Sequence, residues 1–330
     1  NCNFFIIAVP TPVLKNNKPD LTFLKKSCET IGKYLNKDDI VFFESTVYPG
    51  ITENFCGKIL QKESGLKLDA DFFVGYSPER INPGDKKHSI DKIVKIVSAN
   101  KVYALKIGKS IYQKVAKKII INKNIKEAES AKVIENIQRD LNIGLMNEIY
   151  KVCLNSKINF SNVIKLSSTK WNFLKFNPGL VGGHCLPVDP YYYSYFAKVY
   201  GVSTEILLAG RRVNNSMFKF IFKKIKNDLH KKNLKLKRSK ILMLGLSYKK
   251  NVSDLRNSYV IKLAELIKKN SLKLDIHDPL ISSVKVKKLN LINKLKLDNY
   301  DIIINAVNHD IFRNKIAMIK KKKLNYIELF

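Results

Sequence analysis

The chain has 330 residues, 45% of them hydrophobic, with 60 Lys and Arg against 28 Asp and Glu for a formal net charge of +32. That length allows two or three domains with ample core, and no apolar run reaches the ~18 residues of a membrane span. The lysines are spread over every segment without zinc-finger spacing or an RNA-binding aromatic motif, which argues against nucleic acid as the partner and leaves a general positive field suited to a small anion.

The five cysteines form neither a paired metal spacing nor a disulfide framework, so no metal is expected and a reducing cytoplasm is the default compartment. Asn1 opens directly into the apolar run Phe4-Phe5-Ile6-Ile7, with no signal-peptide pattern. Phe4 to Val9 reads as a buried parallel strand closed by Pro10-Thr11-Pro12. Asp20 to Leu35 has helical spacing, Ile40 to Thr46 is a second strand, and Thr52 to Gln61 a helix. Phe72 to Tyr76 is a strand ending in Ser77-Pro78-Glu79-Arg80, and Lys92 to Val97 and Lys118 to Ile121 are further strands with a helix between. Strands alternating with helices predict a parallel α/β sheet with ligands at the carboxyl ends of the strands. The polar strand ends V-P-T-P, E-S-T-V-Y-P-G and Y-S-P-E-R-I-N-P-G therefore belong on one rim.

Glu127 to Leu154 has no Pro and one Gly, and Ala131, Ile134, Ile137, Leu141, Leu145 and Ile149 recur at helical spacing. It reads as one long helix, a spine between domains and a dimer surface. Lys132 and Asn136 lie four apart on one face of it. Asn177 to Tyr192 reads N-P-G-L-V-G-G-H-C-L-P-V-D-P-Y-Y. Three glycines before Cys185, two prolines after it and Asp189 four residues on suit an exposed covalent nucleophile with a group nearby to manage protons. Tyr191 to Tyr200 and Thr204 to His230 read as helices, the tyrosine cluster as core packing. Arg211-Arg212 reads equally as a surface pair or an interface contact. After a Lys-rich junction, Lys240 to Leu246 opens a second α/β domain, continued by strands at Lys273 to Ile276 and Asp301 to Val307 and a strand-like end from Tyr326. Its first strand-to-helix turn, S-Y-K-K-N-V-S-D-L-R, is poor in glycine, unlike a dinucleotide-binding turn.

The loop around Cys185, the helix A-K-V-I-E-N-I-Q-R-D-L-N-I-G-L-M-N-E and the three strand-end motifs resemble, over nearly the whole chain, the nucleotide-sugar 6-dehydrogenases of the UDP-glucose/UDP-mannosamine dehydrogenase family. The form G-G-H-C followed by V-D-P-Y-Y resembles the enzymes acting on N-acetylhexosamines, and E-S-T-V-Y-P-G and K-W-N-F-L-K-F-N-P-G-L-V-G-G-H-C resemble UDP-N-acetylglucosamine 6-dehydrogenases of surface-polysaccharide pathways. Leu186-Pro187 is similar to the mannosamine enzymes instead, which leaves the epimer open, and UDP-glucose and a non-catalytic UDP-sugar-binding remnant are the other readings.

The resemblance implies three parts. These are a partial Rossmann-like NAD-binding domain over 1–124, a central helical dimerisation domain with the cysteine loop over 125–235, and a second Rossmann-like, UDP-sugar-binding domain over 236–330. The family's G-x-G-x-x-G strand and turn has no counterpart here, and the chain is expected to be part of a longer protein that binds NAD poorly without that segment. The implied reaction is a four-electron oxidation of a primary alcohol to a carboxylate with two NAD+. Cys185 would be the nucleophile, Lys132 and Asn136 the oxyanion stabilisers, and Asp189, Glu79 and Thr46 the groups handling protons and water. Val9, Pro10, Thr11, Ser45, Thr46, Glu79 and Arg256 would face the cofactor. Lys132, Leu174, Phe176, Asn177, Pro178, Gly179, Gly182 and Lys249 would hold the substrate, and a homodimer would form through the central helix.

Overall fold

The computed structural model describes residues 2–82, 84–85, 88–281, 286 and 288–330. Its first elements are β1 (Phe4–Ile7), α1 (Thr22–Gly32), β2 (Ile40–Phe43), a π-helical turn (Thr52–Gly57) running into α2 (Lys58–Ser64), and β3 (Phe73–Tyr76). Then come β4 (Val94–Ala99), α3 (Val102–Tyr112), β5 (Lys118–Asn122), α4 (Ile125–Asn155), α5 (Phe160–Ser167), α6 (Asp189–Val199) and α7 (Glu205–Lys231). The rest is β6 (Lys240–Leu244), α8 (Tyr259–Asn270), β7 (Lys273–His277), β8 (Asn290–Leu291), β9 (Ile302–Asn305), α9 (Arg313–Lys321) and β10 (Tyr326–Glu328). Two compact units share these elements: 1–138 with 188–208, and 139–187 with 209–330.

In the first unit the strands lie in the order β1-β2-β3-β4-β5. The sequence Ile-Val-Phe-Phe of β2 is buried throughout, as a strand covered on both faces requires. Ile40 pairs with Phe4 on one side and Phe73 on the other, both in parallel. The all-parallel expectation fails at one pair: β4 runs antiparallel to β3, with Gly75 opposite Ala99 and Tyr76 opposite Ser98. A parallel neighbour needs a crossover, normally a helix. The described residues between β3 and β4 contain no helix, so the chain returns along the same edge. One core gathers Ile7, Leu24, Val41, Phe43, Val74 and Tyr76, and another packs Phe42 with Val97, Ala104 and Tyr112.

The second unit is a wholly parallel sheet, β10-β9-β6-β7-β8. Its strand β6 has Ile241, Leu242, Met243 and Leu244 all fully buried. Ile241 and Met243 join Met217, Ile221 and Ile225 of α7 and Leu263 and Ile267 of α8 in one core. Leu242 and Leu244 face a second cluster with Ile303, Phe312 and Ile319. The expected second α/β unit is therefore present, with α9 added.

The long helix is present, but its burial is not the predicted one. Ile134 and Leu145, taken from the sequence as part of an apolar face, are 48% and 53% exposed. Of that face Ile137 is buried, and α4 also buries Ile125, Val133, Met146 and Tyr150 beside a polar set, Glu129, Lys132, Asn136, Asp140 and Asn147. Arg211, read as a surface or interface residue, is buried inside the second unit. Among the described residues no helix is long and apolar enough to cross a membrane.

Candidate active site

In the first unit the rim is built from strand ends. Ser45 Oγ donates to the Val9 carbonyl at 2.7 Å, and Thr11 Oγ1 donates to the Thr46 carbonyl at 2.6 Å. These two bonds tie the loop after β1 to the loop after β2 and hold Thr11 and Ser45 buried, while Pro10 is exposed and Val9 and Thr46 are half-buried. The loop after β3 is held by a buried lysine: Lys95 Nζ reaches Glu44 Oε1 at 3.0 Å and the Pro78 carbonyl at 3.3 Å. Arg80 donates to the Val94 carbonyl at 2.8 Å and pairs with Glu135 of α4 at 2.7 Å. Glu79 between them is exposed, and its Oε1 accepts the Ile81 N–H. Pro83, Lys86 and Lys87 of the strand-end motif lie outside the described residues.

Helix α4 borders this unit with Lys132 and Asn136, 7% and 8% exposed. Asn136 Nδ2 donates to Asp189 Oδ2 at 2.6 Å, so the structure joins two of the predicted catalytic groups directly. Asp189 begins α6, where Pro190 occupies the first turn and loses no helical hydrogen bond there. Tyr192 is fully buried and donates to the Pro12 carbonyl at 3.1 Å, which fixes α6 against the loop after β1. Burial raises its phenol well above the usual range.

The second unit carries Cys185, the segment before it, Lys249 and Arg256. Asn147 of α4 grips Gly179 at both backbone groups: its Oδ1 accepts the Gly179 N–H at 2.8 Å and its Nδ2 donates to the Gly179 carbonyl at 3.0 Å. Gly182 has no room for a side chain, since a Cβ would stand 2.7 Å from Tyr248 Cβ and 2.9 Å from the Asn257 carbonyl. Gly183 has φ of 94°, which glycine adopts without strain, and its N–H donates to the Arg256 carbonyl at 3.0 Å. Cys185 is thus delivered by a loop fastened at 179, 182 and 183, and it is half-buried. The Leu174, Asn177 side of the segment is exposed, with Phe176 and Pro178 half-buried.

Arg256 forks onto Asp254, with Nη2 to Oδ2 at 2.7 Å and Nε to both oxygens at 3.0 and 3.1 Å. Arg256 raises the acidity of the His184 imidazolium, after burial itself, while the Cys185 sulfur and the Asp254 charge push the neighbouring Tyr248 phenol up after burial. His184, Cys185, Tyr248, Asp254 and Arg256 therefore form one electrostatic neighbourhood, which the resemblance alone had read as a cofactor contact for Arg256. The Lys249 loop is anchored by Ser247 Oγ, which donates to the Lys249 carbonyl at 2.8 Å, and by buried His309, whose Nδ1 accepts the Asn251 N–H at 2.8 Å.

Sequence reasoning missed the groups that do the anchoring. Asp140 pairs with Arg211 at 2.6 Å, and Asn214 Nδ2 donates to Asp140 Oδ1 at 2.9 Å while accepting from Asn147 at 2.8 Å. The available signal was the recurrence of Glu129, Asp140 and Asn147 at helical spacing with Lys132 and Asn136.

Three family profiles match the chain in order. They are the UDP-glucose/GDP-mannose dehydrogenase family's NAD binding domain over residues 1–116, its central domain over 126–216 and its UDP binding domain over 242–326. Protein CapL of Staphylococcus aureus is 47% identical over 95% of this chain and 75% of its own length. The UDP-N-acetyl-D-glucosamine 6-dehydrogenase of Salmonella typhi is 44% identical over 94% of this chain and 74% of its own. Among solved structures, the UDP-D-ManNAc dehydrogenase of Pyrococcus horikoshii matches with a TM-score of 0.84 at 30% identity, over 96% of this chain and 74% of that one. The rim of parallel strand ends fits the nicotinamide coenzyme that the first profile specifies, because ligands of such sheets bind at those ends. With all three domains of the family in their order, the chain belongs to the UDP-glucose/GDP-mannose dehydrogenase family, the NAD-dependent oxidoreductases of nucleotide sugars.

Proposed function

We propose that the protein oxidises the C6 hydroxyl of a UDP-N-acetylhexosamine, UDP-N-acetylglucosamine first among them, to the uronic acid for surface-polysaccharide synthesis. The observation that carries this substrate is the match along nearly the whole chain to a relative named for it. The segments serving the reaction are 1–124 for the coenzyme, 125–235 for the cysteine loop and dimer contact, and 236–330 for UDP. The free cysteines suit a cytoplasmic setting.

NAD+, when bound, supplies the hydride acceptor for both oxidations. The alcohol proton passes through water towards Asp189, whose carboxylate is steadied by Asn136 at 2.6 Å. The Cys185 thiolate then attacks the C6 aldehyde to give a thiohemiacetal, which keeps the aldehyde on the protein. Lys132 and the second N–H of the Asn136 amide stabilise the oxyanion, an effect worth several kcal/mol in such sites. Loss of the second hydride leaves a thioester at Cys185. Water set by Thr46, Glu79 or Asp189 adds to it, expelling the thiolate and releasing the carboxylate.

A homodimer is part of the same proposal. Ile134, Leu141, Leu145 and Val152 fall on one face of α4 at spacings of seven and four, and Ile134, Leu145 and Val152 are 48%, 53% and 61% exposed. A second copy would cover them.

The test is a single-turnover NADH assay with UDP-N-acetylglucosamine, UDP-N-acetylmannosamine and UDP-glucose, with mass spectrometry of the protein. Two NADH per UDP-N-acetylglucosamine and a transient adduct on Cys185 are expected. Preference for the mannosamine epimer, in line with Leu186-Pro187, would replace the sugar and keep the chemistry. Cys185→Ser forming uronic acid at the parent rate would overturn covalent catalysis.

A further inference from the structure

The loop that carries Thr46 continues as Val47-Tyr48-Pro49-Gly50-Ile51 into the π-helical turn at Thr52. Its backbone is not held by the sheet at this point. Two of its N–H groups go to one side chain: Glu129 Oε2 accepts the Gly50 N–H at 2.5 Å and Oε1 accepts the Thr52 N–H at 2.9 Å. Glu129 has no exposed surface, and it stands three residues before Lys132 on the same face of α4. Among the described residues, no ion pair gives it a cation. We propose that Glu129 is a positioning residue, whose ionised carboxylate clamps the Thr46 loop onto the helix that carries Lys132 and Asn136. This rests on the reading of Thr46, Lys132 and Asn136 given above.

A carboxylate taking two backbone N–H groups is a strong, geometrically defined anchor, because both bonds are charge-assisted. A protonated carboxyl can serve one of them well, since its hydroxyl oxygen has become a donor. The clamp is therefore linked to pH. Burial pushes the Glu129 carboxyl up to about 7, against the lowering effect of the Thr52 and Gly50 N–H groups, and the charge of Glu53 adds to the rise. The other groups facing it are Tyr48 on the loop and Cys56 on the π-helical turn, whose own acidities it lowers after burial or the Cys28 contact has acted. Lys126 Cε stands 3.7 Å, and Asn54 Nδ2 3.0 Å, from where a Cβ on Gly50 would be.

The sign of the stability effect separates a positioning role from a structural one. The folded value lies above the unfolded one, so the stability Glu129 contributes is present at low pH and lost as pH rises through about 7. Above that value the fold carries an unfavourable buried charge that a neutral side chain would remove. A residue kept for stability would not be ionised there; one kept to hold the loop would be.

The experiment is amide hydrogen exchange at Gly50 and Thr52 between about pH 6 and 8.5, corrected for intrinsic rates, in the parent, Glu129→Gln and Glu129→Asp, with melting temperatures and kinetics. One unit below its midpoint only about a tenth of the carboxyl stays ionised. Protection of one of the two amides in the parent should fall by up to about tenfold from the top of the range to the bottom, the other keeping its bond to the carbonyl oxygen of the neutral acid. Glu129→Gln should show the low protection at every pH, melt no lower than the parent at the alkaline end, and turn over more slowly with little change in KM for the UDP-sugar. Protection that ignores pH in the parent, or a Glu129→Gln protein with intact protection and turnover, overturns the clamp. Exchange reads the clamp without any substrate, so a wrong assignment of the reaction would leave a pH-dependent clamp beside an inactive protein, a distinct result.

Discussion

Replacing Arg211 by Met tests the buried pair that underlies the cysteine-loop unit. Arg211 and Asp140 are 1% and 0% exposed, and they meet at 2.6 Å. The methionine fills much of the space and removes the charge. Asp140 is then left with the Asn214 amide at 2.9 Å and no cation. Breaking a buried pair on one side costs about 3–5 kcal/mol, because the remaining charge is uncompensated. Burial already holds the Asp140 carboxyl above its usual range, with Arg211 as the largest opposing influence. Without Arg211 that value rises further. A carboxyl whose folded value exceeds its unfolded value favours the fold at low pH and loses that contribution as pH rises through the folded value. The Arg211→Met penalty should therefore be full near about pH 8 and smaller near about pH 5.5, by ~1.4 kcal/mol for each unit over which the carboxyl is protonated.

The assay is pulsed amide exchange across α7 and β6 during urea unfolding at both pH values, so that only the unit containing the pair is read. The double variant Asp140→Asn with Arg211→Met should regain most of the loss, since asparagine keeps an acceptor for Asn214 without a charge. A single variant within about 1 kcal/mol of the parent at the alkaline pH, or a loss that ignores pH, would refute the reasoning.

Gly182→Ala should leave the fold intact and raise KM for the UDP-sugar several-fold, because its methyl meets Tyr248 Cβ at 2.7 Å and displaces the loop that delivers Cys185; steady-state kinetics with both substrates checks it. Lys132→Ala should slow turnover by about a hundredfold or more through loss of oxyanion stabilisation, with UDP binding by calorimetry unchanged. Leu145→Asp with Val152→Asp should convert a dimer to monomers in sedimentation velocity at micromolar concentration, since both positions are apolar and more than half exposed; an unchanged dimer would place the contact elsewhere.

The strands were legible because their signals are local. Ile40 to Phe43 and Lys240 to Leu244 are continuous apolar runs bounded by loops, and a buried parallel strand needs little else. The direction of β4 was not legible, since pairing is set by the path of the connection and not by the strand's own residues. The π-helical start at Thr52 was also hidden; a helical period does not distinguish an i to i+4 ladder from an i to i+5 one over a single turn. Cys185, Lys132, Asn136 and Asp189 could be named from motifs, while the bond between Asn136 and Asp189 spans 53 positions and had no local signature. Arg211 shows the limit most clearly. A lysine-rich chain offers no compositional reason to bury one guanidinium, and only its partner Asp140, 71 positions away, explains it.

The long helix adds directional polar bonds to ordinary apolar packing, since Ile125, Val133, Ile137, Met146 and Tyr150 are buried on it beside Glu129, Lys132, Asn136, Asp140 and Asn147. An apolar stripe holds a helix against a core by area, a non-directional force that tolerates small rotations and slides. The polar residues of α4 offer, besides, Glu129 to Gly50 and Thr52, Asn136 to Asp189, Asp140 to Arg211 and Asn214, and Asn147 to Gly179. Each bond has a length and an angle, and a buried polar group that loses its partner costs ~1–3 kcal/mol, so a shift of the helix by a fraction of a turn would break several at once. Apolar side chains at these positions would serve stability as well or better, as replacements of buried ion pairs show in other proteins. What they would not do is fix the loop after β2 and the start of α6 within the first unit, and the segment before Cys185 within the second, each to defined points on the part of the helix in that unit. Those three segments carry Thr46, the loop leading to Cys185, and Asp189. On the reaction proposed above, these polar residues serve to place the reacting groups, while Ile134, Leu145 and Val152 lie exposed on the helix.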